Sequence, residues 1–147
     1  MPKHLPPSRG KHGLRFSHSQ WYPQWDASTE LANSPFGRST LDITVHGGTA
    51  WEPVTEEELS LIDCILDWLP DLLPLIVAKL REWDESLTDE KVFRETFKQP
   101  SICLFDRGDY LTQSWTFVVE RLGFEGDNWG VHLKFAGRQF VDKFAGD

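Results

Sequence analysis

The stretch VTEEELSLIDCILDWLPDLLPLIVAKLREW, residues 54–83, limits what this chain can fold into more than any other. It is patterned as a helix, yet it carries Pro70 and Pro74 at its centre. Leu59, Ile62, Leu66, Leu69, Leu73, Ile76, Leu80 and Trp83 follow at alternating spacings of three and four, so one apolar stripe runs straight through the prolines. Thr55 with Glu58 makes a capping box, and Glu56, Glu57 and Glu58 suit the positive end of a helix dipole. Proline has no amide hydrogen, and the ring of Pro70 opposes the carbonyl of Leu66. The pattern therefore predicts one kinked helix or two helices joined at Leu69–Asp71. The break or sharp kink is expected at Trp68–Pro70, with both halves burying the stripe on a sheet.

Strand patterns surround this helix. TLDITVH (40–46) alternates Leu41, Ile43 and Val45 with Thr40, Asp42, Thr44 and His46, and Gly47 and Gly48 end it. LRFSHS (14–19) suggests a first strand, and residues 21–39, punctuated by Pro, Asn and Gly, read as a loop with aromatic anchors. DEKVFRETF (89–97) predicts a short second helix with Val92, Phe93 and Phe97 inward, closed by Pro100. SICLF (101–105), SWTFVVERL (114–122), WGVHLKF (129–135) and QFVDKF (139–144) then read as strands separated by short turns, which implies an antiparallel meander. Gly137 stands at the first central position of AGRQ, as a type II′ hairpin needs. The expected fold is α+β: an antiparallel sheet of five or six strands packed on one face by a long kinked or broken helix and a shorter helix. Residues 1–13 read as a basic Pro/Gly-rich arm and 14–147 as a single domain.

A length of 147 residues with seven Trp and ten Phe is enough for a substantial core, although the apolar fraction is 39%. Cys64 and Cys103 lie in apolar runs and are expected to be small buried hydrophobes, which favours a reducing, cytoplasmic setting. No apolar segment follows the basic start, so no secretory signal is expected, and no run is apolar enough for a membrane span. The net charge is −8 and unevenly spread. Lys3, Arg9, Lys11 and Arg15 meet no acid within the first 25 residues, leaving eleven of the 15 bases against all 23 acids, a net of −12. Such a body repels phosphates, which argues against nucleic-acid binding by the core.

The order of a capped helix, a shorter helix and strands ending in NWGVHLKFAGRQFVDKF resembles small bacterial domains of unknown function of the immunity-protein-like type, found near polymorphic toxin systems. The resemblance spans about residues 40–145 and rests on that pattern and on Trp129, Gly130 and Val131. It implies the fold and a toxin domain as partner; it carries no catalytic residues with it.

No catalytic constellation stands out. His4, His12, His18, His46 and His132 show no metal-ligand spacing, and no metal or cofactor is expected. Asp106 and Asp109, like Glu125 and Asp127, are ordinary turn residues that lack the ligand count of a Ca²⁺ loop. Cys103, between Ile102 and Leu104, is expected to be buried and inert. Trp21, Tyr22 and Trp25 sit in a polar loop, where they are either binding anchors or a plug for the end of the sheet. At 100° per residue, Glu56, Glu57, Asp63, Asp67 and Asp71 fall within roughly a 120° arc beside the stripe, without a base at i+4. That arc is either a solvated face or a docking surface for a basic protein. The leading expectation is a non-catalytic binding protein that engages such a partner through these five acids and Trp21, Tyr22 and Trp25. The alternatives are a small hydrolase or ligand-binding enzyme with a carboxylate-lined pocket on the open sheet face, using Asp106 and Asp109, and a structural homo-oligomer.

Overall fold

A computed structural model describes residues 12–37, 40–47, 52–122 and 128–146, with the side chains of 128 and 129 outside that description. Most of the basic arm (residues 1–11), Trp51, the Gly48 step and the turn bearing Glu125 and Asp127 also lie outside it. Among the described residues, seven strands form one sheet in sequence order. They are β1 (Ser17–His18), β2 (Gln24–Glu30), β3 (Thr40–His46), β4 (Phe97–Leu104), β5 (Ser114–Leu122), β6 (Asn128–Ala136) and β7 (Gln139–Gly146). Helices α1 (Glu56–Arg81) and α2 (Glu90–Thr96) both lie in the connection between β3 and β4, with a 3₁₀ turn, Glu85–Thr88, between them.

The α+β class holds, and the sheet is mostly antiparallel, but four expectations about the strands need correction. There are seven strands rather than five or six, because β2 occupies what reads as a loop. Its Trp25 and Ala27 are buried while Asp26 and Ser28 alternate with them, so tertiary burial sustains a strand in a segment of weak β propensity. The first strand shrinks to Ser17–His18, although Leu14 and Phe16 are still in the core. β3 and β4 run parallel, with Ile43 opposite Ile102. The helical return carries the chain back across the sheet so that it enters β4 in the same direction as β3. Pro100, expected to close α2, lies inside β4 instead. The ladder shifts between Lys98 and Ser101, and Gln99 takes a positive φ of 53°. Such a bulge is where a strand accommodates a residue with no amide hydrogen.

The largest correction concerns the prolines. α1 is one unbroken helix of 26 residues that contains both Pro70 and Pro74. Both prolines are exposed, and their spacing of four puts them on the same side. The missing bonds would have run to the carbonyls of Leu66 and Pro70, on the side where water can replace them. The opposite side buries Leu61, Ile62, Ile65, Leu69, Leu72, Leu73, Ile76 and Leu80. Eight such side chains at roughly 1.5–3 kcal/mol each outweigh about 3 kcal/mol per interior proline. Leu59 and Leu66, which read as stripe members, are half-buried on its flank. Against this ridge the sheet presents Trp25, Leu41, Ile43, Val45, Ile102, Trp115, Phe117, Val119, Val131, Leu133 and Phe135. Phe93 of α2 adds to the core, 5.0 Å from Phe97 and 5.6 Å from Phe36 between ring centroids.

The start of α1 is locked in place. Thr55 Oγ1 accepts from the Glu58 amide at 3.2 Å, and Glu58 Oε1 accepts from the Thr55 amide at 2.9 Å, completing the capping box. Glu58 is only 1% exposed, and its carboxylate also takes two bonds from Arg107, Nε to Oε2 at 2.8 Å and Nη2 to Oε1 at 2.7 Å. Arg107 donates further to the carbonyls of Glu52 and Pro53, at 2.9 and 2.7 Å. Gly47, after β3, makes room for it: a Cβ there would lie 2.7 Å from Arg107 Cδ and Nη1. At the far hairpin, Gly137 has φ 57°, with Ala136 opposite Gln139, as a two-residue II′ turn requires.

Removing Glu58 would leave a largely buried guanidinium unmatched and the helix start uncapped. Glu58→Ala is expected to lower the unfolding free energy by roughly 3 kcal/mol in urea titrations. A loss below about 1 kcal/mol would show that the pair does not hold the helix start in place.

Candidate functional site

The helices cover one face of the sheet. On the other face the strand alternation turns outward the residues that do not enter the core. One row runs across it by direct pairing: Asp26 beside Thr44, Thr44 beside Cys103, Cys103 beside Thr116, Thr116 beside Lys134 and Lys134 beside Asp142. Asp42 lies two residues from Thr44 on the same side, opposite Ser28 and Ser101. Thr44 Oγ1 donates to Asp26 Oδ1 at 3.0 Å, and Gln24 Nε2 donates to the same oxygen at 2.9 Å. Burial, and then the nearby Asp26 charge, push the Asp42 carboxyl above its ordinary value. Two like charges therefore share this part of the face.

From β3 to β7 the same face carries a ladder of rings. His46 stacks on Phe105 at 4.8 Å, Phe105 lies 5.8 Å from His132, and His132 stacks on Phe144 at 4.7 Å with ring planes 7° apart. Phe105 and Phe144 each remain 45% exposed. Burial holds both imidazoles below the usual histidine range, against the opposing pull of Asp26 on His46. His132 Nδ1 is buried with no hydrogen-bond partner, and a neutral ring bears that better than a charged one. Cys103 is buried in the same face, its Sγ 3.7 Å from Ser101 Oγ, and desolvation pushes its thiol up to about 11. At neutral pH it is a thiol rather than a nucleophilic thiolate.

Beside the ladder, the loop after β4 borders a groove of about 520 Å³ lined by Phe105, Asp106, Asp109, Lys134, Val141 and Phe144. Its two carboxylates serve the loop itself. Asp106 Oδ1 accepts from the Gly108 amide at 3.0 Å, and Asp109 Oδ2 accepts from the Asp106 amide at 3.1 Å. Desolvation pushes the Asp109 carboxyl up, with these bonds opposing it.

The residues expected to bind a partner differ in exposure and in the contacts they make. Glu56 and Glu57 are exposed in the first turn of α1, while Asp63 is half-buried. Asp67 Oδ1 lies 3.2 Å from His12 Nε2, and Asp71 Oδ2 accepts from Arg138 Nη2 at 3.3 Å. The bases that the helix sequence lacks thus arrive from the chain before β1 and from the last hairpin. The aromatic trio splits. Trp21 and Tyr22 are 83% and 66% exposed on the β1–β2 turn, where Ser19 Oγ accepts from both their amides. Trp25 is a core plug, buried, with Nε1 donating to the Glu52 carbonyl at 2.7 Å. Cys64, expected inside, is exposed on α1, because the buried ridge is centred on Ile62, Leu69 and Ile76, away from it.

The ring ladder escapes a reading of the sequence. His46, Phe105, His132 and Phe144 belong to four separate segments, and the outward phase of each strand is the single available signal. Among the described residues, no three His, Cys, Asp or Glu side chains are grouped to hold a metal ion, and no helix is long and apolar enough to cross a membrane. No protein-family model matches the chain, and comparison with curated proteins and with solved structures finds no match.

Two outcomes follow from this geometry. A thiol reagent at neutral pH should modify Cys64 in the folded protein and reach Cys103 only on unfolding; equal labelling rates in native buffer would contradict the burial of Cys103. His46 and His132 protonate more readily in the unfolded chain, so below the ordinary histidine value of 6.5 the unfolded state binds more protons and stability falls with the pH. The raised Asp42 and Asp109 carboxyls act with the opposite sign, just above 3.8, in a more acidic window. The urea midpoint should therefore drop between about pH 7 and pH 5.5, and drop less in His46→Phe and His132→Phe. An unchanged slope in both variants would show that these imidazoles are not its source.

Proposed function

We propose that this protein is a non-catalytic binding protein for a basic protein partner. The observation that supports it is the sheet face left uncovered by the helices, which carries the exposed rings of Phe105 and Phe144 as well as the carboxylates of Asp26 and Asp42. Exposed aromatics on the same face as carboxylates that have no ion pair among the described residues are suited to a cationic surface with apolar side chains. The acidic balance beyond residue 25 adds long-range attraction for such a partner. Trp21 and Tyr22, with Glu56 and Glu57 at the first turn of α1, would extend the contact beyond the face. The Asp63–Asp71 segment of α1 contributes less, since Asp67 and Asp71 already have His12 and Arg138 beside them. A toxin domain is the version of this partner that the resemblance to immunity-like domains supplies, and a cytoplasmic setting goes with it.

The carboxylate-pocket enzyme is the weaker reading, because Asp106 and Asp109 are engaged in holding their own loop. Short blocked peptides bearing Arg or Lys at alternate positions should bind in fluorescence anisotropy, with affinity falling as salt is raised. Matched Glu peptides should not bind. Equal binding of acidic and basic peptides would remove the proposal.

A further inference from the structure

We infer that the open face of the sheet recognises arginine, so that the partner docks there through a segment with exposed Arg side chains. This rests on the basic-partner reading and goes beyond it by separating arginine from lysine and this face from the face of α1.

Two kinds of guanidinium contact are present on this one face. Asp26 and Asp42 are acids on one face of adjacent strands, Asp26 opposite Thr44 and Asp42 two residues along from it, and the groups on Asp26 are the neutral donors Thr44 and Gln24. A cation between the carboxylates relieves the repulsion between them, and the planar fork of arginine matches carboxylates better than a point-like ammonium does. The second is the ring ladder, which begins at His46, within the field of Asp26, and ends at Phe144 on β7. Guanidinium groups pack on aromatic rings, and Phe105 and Phe144, although each is stacked on an imidazole, keep 45% of their surface exposed. The imidazoles of His46 and His132, held below the usual histidine range by burial, add ring surface without adding positive charge at neutral pH.

The charge of the face agrees. On the strands, Asp26, Glu30, Asp42, Glu120 and Asp142 point to this side, against Lys98 and Lys134. Lys98 sits directly opposite Glu120, and Lys134 opposite Asp142, so both bases have an acid beside them. The net acid is left at β2 and β3, where the carboxylate pair lies. An anionic or purely apolar partner would leave that pair uncompensated in a contact that excludes water.

The test compares blocked peptides with Arg or with Lys at alternate positions, spaced by Ala, on the full chain. The Arg peptide should bind at least about tenfold more tightly. Phe105→Leu/Phe144→Leu, which keeps apolar volume but removes the rings, should lose about tenfold for the Arg peptide and little for the Lys peptide. Asp26→Asn/Asp42→Asn should weaken both peptides. Asp67→Asn/Asp71→Asn, on α1, should leave both unchanged, and urea midpoints confirm that each variant is folded. Equal binding of the two peptides would overturn the arginine assignment while leaving the basic-partner reading intact. Loss of binding only in the α1 variant would overturn the location. No binding of either peptide to the unmodified protein would overturn both the inference and the reading beneath it.

Discussion

The contact between Glu58 and Arg107 is where the organisation of this molecule is concentrated. One buried carboxylate completes the capping box of α1 and receives a two-pronged bond from the loop that follows β4. The same guanidinium gathers the carbonyls of Glu52 and Pro53 and occupies the space left by Gly47 at the end of β3. The exit of β3, the start of α1 and the exit of β4 are thereby tied at one point. That tie sets where the long crossover begins relative to the two parallel strands it joins. A buried ion pair of this kind adds little net stability over a hydrophobic replacement, since desolvation offsets attraction. Its value lies in direction: the charges meet in one arrangement, whereas the leucine ridge could slide along a sheet of similar side chains.

Once α1 is anchored, hydrophobic burial supplies the free energy. The ridge from Leu61 to Leu80 and the sheet residues beneath it are almost fully enclosed. That strength lets the helix carry two prolines without breaking. The far end is held by smaller contacts, such as Lys143 reaching Glu82 at 2.8 Å while lying 4.5 Å over the Trp83 ring. The two helices lie on one side of the seven-stranded sheet, and among the described residues no helix covers the second face. Its outward positions hold short polar side chains at the centre and rings toward β7, leaving a surface that is neither a sealed core nor an ordinary solvated face.

Much of the architecture was legible along the chain. The capping box, the pattern of β3, the limits of β5 and the glycine of the last hairpin are local signals, each within a few residues, and local physics decides them. β2 was hidden because its residues have weak strand propensity, and the core accepted them for their alternation. The continuity of α1 was hidden because proline rules describe an isolated helix. The burial that overrides them comes from strands outside the helix's own stretch of sequence, from β3 before it to β6 far beyond it.

The sequence by itself determined the composition of the elements: an amphipathic helix with a defined start, strands with defined inner and outer faces, and an acid excess beyond the basic first 25 residues. Tertiary structure alone decided which side chains became neighbours. It gave Asp67 and Asp71 partners from His12 and Arg138, far from them in sequence. It also aligned His46, Phe105, His132 and Phe144 from four segments into one ladder. The physical reason is common to both: charge and aromatic contacts act over a few ångströms of space, and positions in a chain acquire such distances only when the sheet sets the order and register of its strands.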